Sequence, residues 1–321
     1  VAVGSCFALI KMSVYSTIGI ITKDSKEHIS FMNFIESFFM VGNLTLYFIF
    51  SSFVDSNNPQ STSWLNAYYL IGGLSLLAFL LLLSSALDES SAKPTTEKPL
   101  TAEFSEMFKL AAQPIVLAFI FSAFIYVLIE QSIQNFLPTF NNKVLLLPAA
   151  LSIQMGSILA GSTATGRFLA GLILKKLNWF YVLIGCLLCA AALVLVAMPL
   201  AQDVTATNAT GWLDAPAAAY IFPLIGLILA PVYPAINSVI LTSLPKPKHG
   251  LMSGLIIIFS ALGGTTGSLI TGYIFHEYSG QTAFYFTLVP ITLLIICLVI
   301  FKRLQKNTAT NVDFDMSKAG H

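Results

Sequence analysis

The chain has 321 residues, of which 56% are hydrophobic and 10% charged, with a mean hydropathy of +0.81. A soluble domain carries roughly 25% charged residues, so this composition excludes one. A formal net charge of +1 supplies no basic field, and no nucleic-acid partner is expected.

Apolar runs long enough to span a bilayer recur from end to end. They lie at about 2–21, 29–53, 64–87, 112–138, 146–174, 178–201, 216–243, 250–275 and 282–301, which predicts an all-α membrane protein of nine transmembrane helices. The chain opens on Val1 inside a hydrophobic run, without a signal peptide, so further N-terminal sequence is expected. Basic residues set the orientation. When the spans alternate, Lys23, Lys26, Lys93, Lys98, Lys109, Arg167, Lys175, Lys176, Lys246, Lys248, Lys302, Arg303, Lys306 and Lys318 share one side. Only Lys143 falls opposite, and Lys11 is inside a span. The C-terminus and the 88–109 loop are therefore expected in the cytoplasm.

Span one holds Lys11 near its middle, with Tyr15 one turn on. Span two carries Asn33, Glu36, Met40, Asn43 and Tyr47 along one stripe. An internal salt bridge or a helix contact accounts for either set. Residues 88–109 are rich in Ser, Thr, Pro, Lys and Glu and read as a solvated connector. The chain thus divides into a partial N-terminal bundle of three spans (1–87), a cytoplasmic linker (88–109), a six-helix C-terminal bundle (110–306) and a cytoplasmic tail (307–321).

Span four is the most informative. An uncharged run leads into Glu130, Gln131, Gln134 and Asn135. At 100° per residue, Tyr126, Glu130 and Gln134 share one face, with Gln131 and Asn135 on its shoulder. A carboxylate facing hydrocarbon costs at least ~2.5 kcal/mol, so Glu130 is expected to face a watery cavity or, more plainly, a neighbouring helix. Its sequence neighbours are amides rather than cations.

Span five carries Gly156, Ala160, Gly161, Gly166 and Gly171, and span eight carries Gly263, Gly264, Gly267, Ser268 and Gly272. Small residues at this spacing let helix backbones approach closely. Cys6, Cys186, Cys189 and Cys297 all lie in apolar spans and read as small packing residues. Asn208-Ala209-Thr210 matches a glycosylation acceptor on the outer side. Span seven is interrupted by Pro223, Pro231 and Pro234 and carries Tyr233 and Asn237 as a polar i,i+4 pair. Interrupted helices are a feature of mid-membrane transport sites. His28, His249 and His276 sit at loop edges and read as surface residues. No metal-ligand spacing, nucleophile elbow or acid–base cluster is present, so neither an enzyme nor a cofactor is expected.

The split into bundles, the basic motif TGRFLAGLILKK at 165–176 and APVYPAINSVIL at 230–241 resemble the major facilitator superfamily. More narrowly, VYPAINSVIL and LIEQSIQNFL (128–137) are similar to phrases on the tenth and seventh helices of the fucose/glucose–galactose:proton symporter branch. The resemblance implies a major-facilitator bundle in which the nine spans are helices 4–12 of 12. The fucose-transporting members place a glutamate on helix four where this chain has Lys11. Their other intramembrane acid lies on helix one, outside this sequence. Fucose is therefore not carried over as substrate.

In this superfamily helices one, four, seven and ten line the central cavity, which would bring Lys11, Glu130 and Asn237 towards one space. The resemblance implies secondary active transport of a sugar or similar solute, with a proton as coupling partner. Gln131, Gln134, Asn135 and Asn237 offer donors and acceptors for hydroxyls, and Tyr15, Tyr126 and Tyr233 suit a pyranose ring. Glu130 and Glu36 are the proton-coupling candidates, and Lys11 is either a cavity residue or the partner of one of them. The alternatives are a facilitator or antiporter of an anionic solute with Lys11 as counter-charge, and a non-transporting sensor or scaffold with a structural Lys11–Glu36 pair. A monomer in a bacterial inner membrane is expected. Without the three preceding helices, the chain as given is expected to be inactive alone.

Overall fold

The computed structural model describes residues 2–53, 61–85, 100–202, 212–245 and 248–318. The described residues form α1 (Ala2–Ile21), α2 (Ser25–Phe53), α3 (Ala67–Leu83), α4 (Leu100–Ala111), α5 (Pro114–Lys143), α6 (Ala149–Ile173), α7 (Trp179–Gln202), α8 (Ala218–Leu229), α9 (Val232–Thr242), α10 (His249–Glu277), α11 (Gly280–Phe286) and α12 (Leu288–Lys318), with short 3-10 turns at Ser63–Asn66 and Trp212–Asp214. No strand occurs among them.

Among the described residues eight segments are long and apolar enough to cross a membrane. The ninth expected span is α6. At 25 residues it is ~37 Å long, which suffices, but its Gly, Ser and Thr residues and Arg167 make it less apolar. Because lipid solvates the outside, large apolar side chains face outward freely: Leu77 and Leu81 on α3 and Leu195 on α7 are each more than half exposed.

The expected seventh span is two helices. α8 ends at Leu229 and α9 begins at Val232. Pro231 has no N–H to give the carbonyl of Leu227, and Pro234 none to give that of Ala230. The freed Leu227 carbonyl lies against Gly166 of α6, where a Cβ would collide with it. A break in one helix and a glycine in the next thus let α6 and α8 pack at backbone distance.

Glycines serve the same end on α10. Gly263 packs on the backbone of Phe124, and Gly267 on that of Leu128. Gly264 and Gly272 instead meet the side chains of Gln131 and Phe136. On α6, Gly171 faces the Phe34 ring, whereas Gly156 and Gly161 have nothing within 4 Å. The small-residue reading holds for α10 and for the later part of α6 only.

α1 and α2 meet the later helices along three seams, α2 with α6, α2 with α9 and α1 with α10. Ser30 Oγ donates to the Gly171 carbonyl at 2.6 Å and Ser37 Oγ to that of Ala164 at 2.8 Å. Nearer the end that carries Lys23, Lys26, Lys175, Lys176 and Lys248 (the basic end), Ser25 Oγ lies 3.2 Å from Thr242 Oγ1. There His28 Nδ1 lies 2.5 Å from Ser238 Oγ, and Gly19 sits against the His249 ring. The seams are closed at that end.

Several expectations change. The second half of the expected connector is helical, as α4, and α12 continues as helix to Lys318 where a tail was expected. His28 and His249 are 1% and 5% exposed rather than on the surface, because helix ends that meet across a seam are buried by one another. His276 is exposed and lies 2.9 Å from Glu277. Lys93, Lys98, Lys246 and the triplet 208–210 lie outside the described residues.

Candidate functional site

The α5 face behaves as its spacing predicts. Tyr126, Glu130 and Gln134 line one small cavity with Ile133, Leu159, Thr163, Gly226 and Leu229. This cavity has about 20 Å³ for the centre of a water molecule, enough for one water and far too little for a monosaccharide.

What Glu130 faces differs from the expectation. Arg167 of α6, which the count of basic residues placed at the end of its span, is buried at 1% exposure. Its Nη2 donates to Glu130 Oε1 at 2.9 Å, and its Nη1 donates to Glu36 Oε2 at 2.9 Å. Nη1 also reaches the Glu36 carbonyl at 3.3 Å. A guanidinium has five N–H groups in a fixed fork, so one arginine can bridge two acids on different helices. Lysine could not hold both in this way. Glu130 is therefore paired with a cation, where its sequence neighbours suggest amides.

Around this bridge the phenols complete the set. Tyr15 OH donates to Glu36 Oε1 at 2.6 Å. Tyr126 OH lies 3.2 Å from both Glu130 Oε1 and the Leu229 carbonyl, sharing one proton between them. The carbonyl is an orphan left by the end of α8. Tyr126 and Tyr233 stack at 5.7 Å, and Tyr233 OH lies 3.0 Å from Ser260 Oγ. Lys11 Nζ sits 4.9 Å over the Tyr233 ring and 3.8 Å from Glu36 Oε1. Lys11, Arg167, Glu36 and Glu130 thus balance two cations against two carboxylates, with Arg167 joining α2 to α5 through α6.

The remaining expected residues separate from this centre. Gln131 lies beside Gly264, and Asn135 Nδ2 donates to Ser268 Oγ at 2.8 Å, so both stand on the α10 side of α5. Asn237 is fully buried, and both its side-chain polar atoms are unpaired. It lies one turn beyond Tyr233 towards the basic end, away from the cavity at Glu130. Arg167 was missed although the signal was present. No other charged residue occurs between 149 and 174, and an arginine six residues short of a helix end is inside the span.

Two solved structures share this fold. One is the major facilitator superfamily transporter FucP in the outward conformation, at TM-score 0.71 and 17% identity, covering 92% of this chain and 72% of that one. The other is a single-substitution variant of the E. coli fucose:proton symporter FucP, at TM-score 0.68 and 15% identity, covering 92% and 73%. At such identity the likeness is one of fold. No curated protein sequence matches. The family model of the Major Facilitator Superfamily matches residues 1–264 and 217–316. The chain is therefore a multi-span membrane protein that belongs to the major facilitator superfamily, a family of transporters rather than enzymes.

Proposed function

We propose that the protein is a proton-coupled transporter of a sugar or similarly hydroxylated solute, working by alternating access as a monomer, with its basic end in the cytoplasm of a bacterial inner membrane. The observation that carries this reading is the arginine shared by Glu36 and Glu130. Arg167 and Glu130 belong to the later helices and Glu36 to the earlier ones. A proton arriving on Glu130 would leave Arg167 to Glu36 alone and so change a contact that crosses the seam. Gln134 beside Glu130 supplies a donor and an acceptor for a hydroxyl. Lys11, Tyr15, Tyr126 and Tyr233 form the adjoining wall, with Gln131 and Asn135 at its α10 margin and Asn237 further along the path.

The anionic-solute reading is weaker because Lys11 already faces Glu36 and is no free counter-charge. The scaffold reading has no account of a cavity at the one acid of the bridge that is not fully enclosed.

The test is uptake by the protein reconstituted in vesicles, with a panel of labelled hexoses and pentoses. Acid outside should drive accumulation of at least one sugar, and a protonophore should abolish it. Uptake of an anion alone, or of sugar with no response to the pH gradient, would overturn the reading.

A further inference from the structure

Eight buried side-chain atoms among the described residues have no hydrogen-bond partner. Five of them, His28 Nε2, Asn33 Oδ1, both polar atoms of Asn237 and Ser253 Oγ, lie on α2, α9 and α10. The others are Arg167 Nε and the two amide atoms of Asn141, near the far end of α5. These helices take part in the α2–α9 and α1–α10 seams, which are closed at the basic end. His28 bonds Ser238 across the α2–α9 seam, and Ser253 follows His249, which packs on Gly19 across the α1–α10 seam. Asn33 uses its amide N–H on the Ile29 carbonyl, which leaves its oxygen over. Elsewhere α2 satisfies its hydroxyls, as Ser30 and Ser37 do.

A polar atom buried without a partner is costly, and five on the helices that meet at these seams would be an odd way to build a permanent contact. They make sense if the seams open and water or solute hydroxyls reach them. We infer that Asn33, Asn237 and Ser253 line the limb of the solute path that leads to the basic end, a limb sealed in this conformation and hydrated in the other. Two amides and a hydroxyl would pass a hydroxylated solute from the Glu130 region towards the basic end by exchanging hydrogen bonds. This inference rests on the transport reading above. It adds a direction to the energetics: the unpaired atoms weigh against the sealed state and so favour opening.

The sign of that effect is testable. Asn237→Leu and Ser253→Ala remove unpaired atoms from the seal and leave the open limb less well lined. Both variants should raise the thermal unfolding midpoint of the purified protein and slow sugar exchange in vesicles by about fivefold or more. A lowered or unchanged midpoint would overturn the inference, since ordinary buried polar residues lose stability when truncated. Asn237→Cys and Ser253→Cys give a second measurement, read by mass spectrometry at those positions. A membrane-impermeant thiol reagent should label them from the side of the basic end and not from the other. No labelling from that side would also overturn the inference. If the wild type carries no sugar but the thiols label and the midpoints rise, the limb stands and the substrate reading fails.

Discussion

Arg167 Nη1 and Glu36 Oε2 lie 2.9 Å apart, and this pair ties α6 to α2 within the membrane-spanning part of the protein. An arginine buried at this depth is tolerable only while its acids are present. Arg167→Met would leave Glu36 and Glu130 with Lys11 as the nearest cation, 3.8 Å from Glu36. Breaking a buried pair in this way costs about 3–5 kcal/mol, so folded yield should collapse. Arg167→Lys should keep a cation but lose the fork, giving an intermediate yield and loss of transport. Size-exclusion recovery from detergent is the check. Wild-type recovery for Arg167→Met would show that the bridge contributes nothing to folding.

Lys11 should behave in the opposite way. Glu36 keeps Arg167 and Tyr15 when Lys11 is removed, and Lys11 itself is only partly buried at 20% exposure. Lys11→Met should therefore cost about 1 kcal/mol or less and leave yield near normal. Its Nζ lies over the Tyr233 ring, part of the wall proposed for the solute, so under that proposal sugar selectivity or rate should change. Competition by unlabelled sugars during uptake would register the change. A large loss of yield with unaltered selectivity would make Lys11 a structural residue instead.

The glycines allow a contrast within one helix. A Cβ at Gly267 meets the carbonyl of Leu128, which cannot move without shifting α5. At Gly264 it meets the Gln131 side chain at 3.1 Å, which can turn away. Gly267→Ala should lower stability by about 1–3 kcal/mol. Gly264→Ala should stay within about 0.5 kcal/mol, and Gly161→Ala, with open space around it, should be neutral or mildly stabilising. Thermal midpoints of the three variants should follow that order.

These residues also show what the sequence made legible. The stripe of Tyr126, Glu130 and Gln134 follows from helical period alone, and the structure keeps it. The broken span follows in part from proline chemistry: α8 and α9 part where Pro231 and Pro234 require, whereas Pro223, also expected to interrupt the span, lies inside α8 without ending it. Arg167 was misread because the charge-bias rule assigns basic residues to loops and says nothing of which helix stands opposite. A pairing between Glu36, Glu130 and Arg167 depends on how three helices pack, which no single helix's period encodes. The burial of His28 and His249 was hidden for the same reason: a helix end is a surface until another helix end covers it.

In the proposed mechanism Glu130 is the residue on which coupling turns. It is the only acid of the pair that lines the cavity, and its side chain is 14% exposed against 6% for Glu36. On that reading a proton entering by the cavity would reach Glu130 more readily than Glu36. Glu130→Gln keeps size and can still accept from Arg167, while removing the negative charge. Because Arg167 retains Glu36, the loss of stability should be modest, about 1–3 kcal/mol. A proton carrier changed in this way should still exchange labelled for unlabelled sugar across the vesicle membrane. It should no longer accumulate sugar when the outside is made acidic. Glu36→Gln, by contrast, weakens the contact of Arg167 that crosses the seam and should slow exchange and uphill uptake together. Measuring both activities on both variants separates the roles. Full uphill accumulation by Glu130→Gln would remove the carboxyl from the coupling mechanism and leave the bridge as a structural tie between α2, α5 and α6.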